Sequence, residues 1–592
     1  MSLTEEQQGV VDLADGFNMV CALPGSGKTH TSISVTEAII NKAEHYSVGM
    51  VTFTKASAEE MNLRVTKVIG GGKELPKNQV KCSTFHSFAL EQWREFAPKF
   101  TLLIGTKHSN IVNKALNNSI FEGDYEEASR VLDFYGQQLF PKPIKNDTSN
   151  TWDLYETYVK IVKASKSLDF SMIFRNVILA MHENKIAPLP YTHLLCDEFQ
   201  DTDNMQYAWL QQHAKKGVKI TTVGDDDQSI YGFRNSKGYA VMRQFQMEFK
   251  AVEHVLTMCF RCRPEILSAA KKIIEFNEDR VLKNMESHLE PGGEVYICAC
   301  ESKDSEVEKI IKLLNEHQGE EFAILARNNY QLDLIERVIR MKGIEYNRKT
   351  KNGFWELPQI KPFLNILYAI VNPYDVRYIG EMLRFFEEDE DEIIILFKES
   401  IESGGFFAIS DRVLDNCRTS TQALHKQIYI IGTDTHDEAM IKAQMDTLVE
   451  LISDAKDKKN SKDLVVVKTV INLLVKHGEG SLQERIENIV HRLKPKSKQE
   501  VNDNEENEPK VTLSTLHGSK GLEWRNVIIL GVSDGTLPSP KSSSDEEERR
   551  LLYVGMTRAE QCLYMLYNGM PSEFLVEAFP QMFSEEEVED DW

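Results

Sequence analysis

The chain has 592 residues, 41% hydrophobic and 27% charged, ordinary proportions for a globular protein of about three to five domains. No window approaches the ~18 apolar residues a membrane span needs. The N-terminus MSLTEEQQGV has no signal-peptide pattern, and nine scattered cysteines fit a reducing cytosol better than a disulfide framework. A net charge of −22 disfavours nucleic acid when taken alone, but it does not exclude it, because binding depends on local basic stripes.

Along the chain, Phe17–Ala22 and Ser47–Thr54 read as buried strands, with helices following at Thr29–Asn41 and Ala56–Val68. The stretch 96–190 is rich in helix-period segments such as Trp152–Ala164 and lacks buried strands. Strands return at Thr192–Cys196 and Lys219–Val223. A second alternating block opens near Val252, with Val295–Ala299 and Phe322–Ala326 as strands. After Asn372-Pro373 the pattern is helical to Leu493, and 494–510 is a polar connector. Strands resume at Val511–Leu513, Asn526–Leu530 and Cys562–Tyr567. The expected fold is α/β: two parallel-sheet cores, each interrupted by a mostly helical insert. The expected boundaries are 1–95 and 191–251 for the first core, with 96–190 as its insert. The second core takes 252–372 and 509–575, with 373–508 as its insert, and 576–592 is an acidic tail.

Four segments carry chemistry. In CALPGSGKTH, residues 21–30, a strand runs into Gly25-Ser26-Gly27-Lys28-Thr29 and then a helix. Glycines let backbone N–H groups converge on phosphate oxygens, and the helix N-terminus adds positive potential. Lys28 would reach the β/γ-phosphates and the Thr29 hydroxyl would ligate Mg²⁺. Ala22 stands where such a loop usually has its first glycine. Asp197-Glu198 ends an apolar run, at the strand edge where open α/β sheets bind ligands. One carboxylate can hold Mg²⁺ while the other polarises water. VGDDDQSIYGFR, residues 223–234, offers Gln228 as a γ-phosphate sensor. Its Tyr231 and Phe233 suit either stacking on single-stranded bases or core packing. Arg261 and Arg558 are candidates for stabilising a transferring phosphoryl group.

Together these segments resemble the UvrD/Rep/PcrA family of superfamily 1A DNA helicases, in the family's order and over most of the chain. LTEEQ, residues 3–7, resembles the Q motif, ALPGSGKT motif I, TFTKASAEEM motif Ia and STFHS motif Ib. DEFQDT, GDDDQSIYGFR and CFRC resemble motifs II, III and IV. TLHGSKGLEW, residues 515–524, resembles motif V, and EEERRLLYVGMTRA, residues 546–559, motif VI. Three sites depart from the pattern: Lys55-Ala56-Ser57 shifts the basic residue of motif Ia, Cys259-Phe260-Arg261 stands for Asn-Tyr-Arg in motif IV, and His30 replaces a frequent arginine.

The resemblance implies two RecA-like cores of the P-loop NTPase type and an ATP- and Mg²⁺-dependent helicase acting on single-stranded DNA and single/double-strand junctions. Gln7 would read the adenine edge and Phe260 would stack on the base. Ala22, Leu23, Pro24, Gly25, Ser26, Gly27 and His30 would form the cradle around Lys28 and Thr29. Asp197 would join Thr29 on the metal, Glu198 would be the base, and Gln228, Arg261 and Arg558 would contact the γ-phosphate. Glu523 would lie near the ribose. Phe53, Thr84, His86, Tyr231, Phe233, Arg234 and His517 would line the DNA track. Movement would be 3′→5′. The tail SEEEVEDDW, residues 584–592, reads as a solubilising segment or as a docking peptide for a protein partner. Rival readings are a translocase that does not unwind alone and a nucleotide-gated scaffold with feeble turnover.

Overall fold

A computed structural model describes residues 2–232, 236–349, 360–371, 376–385, 388–430, 437–455, 467–468, 470–471, 474, 480–493, 510–542 and 544–583. Phe233, Arg234, the tail 584–592 and all but the last residue of the connector 494–510 lie outside them. The chain divides into two compact units, one formed by Met1–Ala299 with Ser519–Trp592 and the other by Cys300–Gly518.

The first unit is built on a six-stranded sheet of β1 (Asn18–Ala22), β2 (Val48–Thr52), β3 (Val80–Thr84), β4 (His193–Cys196), β5 (Lys219–Gly224) and β6 (Val252–Leu256). The order is β3-β2-β4-β5-β1-β6 and every pairing is parallel. Its central strands are buried on both faces, so they read as continuous apolar runs rather than alternating ones. Successive residues nevertheless serve opposite layers. Met19, Cys21, Val51 and Cys196 pack with Phe85, Phe88 and Trp209. Val20, Ala22, Met50 and Leu195 pack with Ile33, Ile39 and Met61. The strand Val252–Leu256, which opens the second alternating block in sequence, runs along β1 at the sheet edge. Val80–Thr84 is a strand the sequence pattern did not disclose, because only its end residues are buried.

Between Phe96 and His193 the chain is mostly helical. Helices Gly105–Asn118, Tyr125–Gly136 and Thr151–Ala164 close around Val112, Leu132, Tyr135, Leu154 and Tyr158. The segment also holds a two-residue parallel pair, Thr101–Leu102 with Ser167–Leu168, too short to leave a period in the sequence. The first unit further contains the parallel strands Trp524–Leu530 and Ala559–Asn568, joined through helix Asp545–Met556.

In the second unit, strands Phe322–Ala326, Val511–Thr515 and Tyr346–Arg348 pair in parallel. Helices from Ile360–Val371 to Leu482–Leu493 gather around Phe363, Leu367, Met382, Leu396, Met445 and Ile486. The fold is thus mixed α/β with parallel sheets and crossover helices, the class expected of two RecA-like cores. No described helix is long and apolar enough to cross a membrane.

Candidate nucleotide site

The phosphate-loop residues sit between β1 and the helix Lys28–Lys42. Ala22 is the last residue of β1, fully buried and paired with Leu256. Its methyl group belongs to the core, so this position calls for a small strand residue and not for a left-handed turn. The turn falls later, at Gly25 (φ 68°) and Gly27 (φ 78°). A Cβ on Gly25 would lie 2.6 Å from Arg261 Cβ, and one on Gly27 would lie 2.9 Å from Gln7 Nε2. Both glycines therefore meet the left-handed backbone and the close approach of a neighbour together. Leu23 N–H donates to Leu256, and Phe260 N–H donates to the Gly25 carbonyl at 2.9 Å. Ser26 Oγ donates to the Leu23 carbonyl at 2.8 Å. Pro24 is buried at the turn.

At the helix start, Lys28 Nζ is buried without a hydrogen-bond partner among the described residues. Its nearest carboxylate oxygen is Glu198 Oε2, at 3.9 Å. Asp197 Oδ1 and His30 Nε2 are likewise buried and unpartnered. The Thr29 hydroxyl makes no hydrogen bond among the described residues. An ammonium for phosphate, together with a carboxylate and a hydroxyl oxygen for a hard cation, is the donor set that a magnesium triphosphate needs.

Asp197 and Glu198 follow β4, as the apolar run before them predicts. Glu198 holds a left-handed backbone, φ 50° and ψ 40°. Its Oε2 accepts a 2.6 Å hydrogen bond from Gln200 Nε2. Burial pushes the Asp197 carboxyl up, and the adjacent Glu198 charge adds to the push. Burial would also raise Glu198, but the charges of Lys28, Lys520 and Arg558 and the Gln200 hydrogen bond outweigh it and hold Glu198 below the usual carboxylate range. The pair is thereby split into an ionised Glu198 and an Asp197 that retains its proton more readily.

Opposite them stand the two arginines. Arg558 is 2% exposed. It donates to the Val554 and Leu522 carbonyls and, at 3.2 Å, to Gln228 Oε1. No carboxylate lies within ion-pair distance of it among the described residues. Burial first, and the neighbouring Arg261 charge second, destabilise its cation. Arg261 instead pairs with Glu523 at 2.6 Å and donates to the Thr557 carbonyl. Glu523 thus has a protein partner in Arg261. Phe260 lies 4.9 Å from the His288 ring, centroid to centroid. Gln7 uses both ends of its amide, accepting from Thr4 N–H and donating to the Ser26 carbonyl. In this conformation it braces the loop.

Four side chains at the site escaped the sequence reading. Gln200 and Lys520 lie inside DEFQDT and HGSKGLEW, but neither type is diagnostic alone. Lys520 is held by Asp201 at 2.6 Å and by the Gln228 carbonyl at 2.9 Å, and sits 5.1 Å from the Tyr231 ring centroid. Arg280 and Lys283 had no signal at all, being isolated cations outside every recognised segment. They bind the aspartates beside Gln228.

Of the expected DNA-contacting residues, Phe53, Thr84 and His86 lie together at the ends of β2 and β3, where Thr52 is in register with Thr84. Phe53 is half-buried, edge-on to Phe85. Thr84 caps helix Phe85–Phe96 by accepting from Ser87 N–H. His86 packs on Phe170 and Phe174. Tyr231 is half-buried, and His517 belongs to the second unit.

A strand-to-helix phosphate loop facing an acidic pair, a glutamine and two arginines defines the chain as a P-loop nucleotide-binding protein. The UvrD/REP helicase N-terminal domain family matches residues 3–250, and the UvrD-like helicase C-terminal domain family matches 254–392 and 381–569. The chain belongs to the UvrD/Rep helicase family. It is 28% identical to the ATP-dependent DNA helicase Rep of Buchnera aphidicola subsp. Acyrthosiphon pisum, over 98% of both chains. It is 24% identical to the ATP-dependent DNA helicase PcrA of Staphylococcus epidermidis, over 97% of this chain and 86% of that protein.

Proposed function

We propose that this UvrD/Rep-family protein is an ATP-dependent DNA helicase that moves 3′→5′ along single-stranded DNA and opens duplex ahead of it, in repair, replication or recombination. The observation that carries the reading is one cluster of unmatched polar groups. Among the described residues, Lys28 Nζ and Asp197 Oδ1 are buried without a hydrogen-bond partner, Lys28 meets a carboxylate only at 3.9 Å, and Arg558 is buried with no carboxylate within ion-pair distance. Unpaired buried charge is costly unless a ligand completes it, and a nucleoside triphosphate with its divalent cation would supply an anion to Lys28 and Arg558 and a cation to Asp197.

In this reading Lys28 and the loop N–H groups bind the phosphates, and Phe260 holds the base. Thr29 and Asp197 would hold Mg²⁺, which would supply charge neutralisation to the triphosphate. Glu198, already ionised, accepts the proton of the attacking water. Arg261 and Arg558 stabilise charge on the transferring group, a contribution of about 10³–10⁵ in rate for an arginine finger. Departure of the γ-phosphate removes the charge these arginines grip. That loosens their hold and couples hydrolysis to movement on the strand. Phe53, Tyr231 and Phe233 offer rings to bases, at about 1–3 kcal/mol per base and without sequence preference. Thr84, His86 and Arg234 are the further candidate strand contacts in the first unit, and His517 is one in the second.

The test is a strand-separation assay on duplexes with either a 3′ or a 5′ tail, run beside a DNA-stimulated ATPase assay. Unwinding of the 3′-tailed duplex alone is expected. Lys28→Ala is expected to abolish ATP hydrolysis while DNA binding stays measurable. Full ATPase activity in Lys28→Ala would overturn the site, and unwinding of 5′-tailed duplex alone would overturn the polarity. DNA-stimulated ATPase without strand separation would leave a translocase.

A further inference from the structure

The acidic run Asp225–Asp226–Asp227 is buried, not solvated. Oxygens from all three carboxylates lie within 4.8 Å of one another, close enough to share one cation. An ammonium already takes that place. Lys283 Nζ lies 2.6 Å from Asp225 Oδ1, 2.6 Å from Asp226 Oδ1 and 2.9 Å from Asp227 Oδ2. Arg280 forks onto Asp227 at 2.9 and 2.7 Å, and Val281 N–H donates to Asp226 Oδ2 at 2.6 Å. Buried ion clusters are often no more stabilising than an apolar core of the same volume. This one has a geometric consequence that an apolar core would lack.

Asp225 has a second oxygen, and it accepts from Gln228 Nε2 at 2.6 Å. A carboxylate held by Lys283 is an acceptor only. It therefore fixes which way the Gln228 amide points, with NH₂ toward Asp225 and Oε1 toward Arg558 Nη2 at 3.2 Å. Turning the amide over would set its oxygen against a carboxylate and its NH₂ against a guanidinium, unfavourable at both ends. A continuous chain Lys283–Asp225–Gln228–Arg558 results, entirely buried.

We infer that Asp225, locked by Lys283, is a positioning residue for ATP hydrolysis: it sets the Gln228 amide and through it the aim of Arg558. The inference rests on the ATPase reading above. Asp225→Asn keeps the shape, but Lys283 and the Asp227 N–H would hold its amide oxygen, so its NH₂ would face the Gln228 NH₂ and the acceptor that sets Gln228 would be lost.

The test is a double-mutant cycle on the full chain, measuring ATPase with saturating single-stranded DNA. Asp225→Asn and Gln228→Ala are each expected to lower kcat about 10–100-fold with ATP KM within about threefold, and the double variant to lose no more than the worse single one. Lys283→Arg should retain most of the activity, and Lys283→Met should behave like Asp225→Asn. Losses that multiply in the double variant, or Asp225→Asn at wild-type kcat, would overturn the inference. If Asp225→Asn does not fold, the same cycle with Lys283→Met and Gln228→Ala decides it. A wild-type chain without DNA-stimulated ATPase would overturn the underlying reading instead.

Discussion

Half-buried Glu198 and fully buried His213 show two uses of a titratable side chain. Glu198 occupies a left-handed backbone, φ 50°. That costs a non-glycine residue about 1–2 kcal/mol, and the strain falls on the proposed base. His213 is structural. Its Nδ1 lies 2.8 Å from the Trp209 carbonyl and its Nε2 3.5 Å from Gln92 Nε2. The Trp209 indole N–H donates to Gln92 Oε1, which leaves the Gln92 NH₂ facing the imidazole. The ring is therefore neutral, donating at Nδ1 and accepting at Nε2. Burial pushes its pKa down to about 4 from 6.5. Between those values the unfolded chain binds the proton and the folded chain does not. Stability from this group is thus fully present above pH 6.5 and is lost as pH falls toward 4. Over that window the wild type should lose up to about 3 kcal/mol more unfolding free energy than His213→Gln. Denaturant titrations at matched pH check this, and parallel curves for the two proteins would refute it.

Among elements, the phosphate loop is the most constrained. Gly25→Ala puts a side chain on a left-handed residue and drives its Cβ to 2.6 Å from Arg261 Cβ. The backbone alone should cost about 1–2 kcal/mol, and displacement of Arg261 should weaken ATP binding as well. Gly9 is the control. It lies within helix Glu5–Asp12, and a Cβ there would meet nothing within 4 Å. Gly9→Ala should raise stability by about 0.5–1 kcal/mol. Chemical unfolding, together with equilibrium binding of a fluorescent ATP analogue, separates the two. Equal effects at both glycines would show that the loop does not need its left-handed turns.

For the whole molecule, a net charge of −22 must coexist with DNA binding. Only local cations can then meet phosphates, so affinity should depend steeply on salt. With three or four phosphate contacts, single-strand affinity should fall about 15–50-fold between 50 and 200 mM monovalent salt. Fluorescence anisotropy with a labelled oligonucleotide measures the slope. A flat response would mean that stacking, not charge, holds the strand.

The alternation of buried runs with helical segments, and the strand–loop–helix around Lys28, were legible because period, glycine placement and chain order are local properties. So were Asp197 and Glu198, whose apolar run ends where a strand must. The partners of these residues were not legible. Nothing local in an isolated Lys283 says that it neutralises three aspartates, or in Gln7 that it braces Ser26. The left-handed Glu198 and the strand pairing of Val252–Leu256 with β1 were equally hidden. Sequence by itself determined the family, the fold class and the chemical inventory of the nucleotide site. Only the tertiary structure decided which charge faces which, because burial and distance set those energies and both arise from contacts between residues up to 330 positions apart.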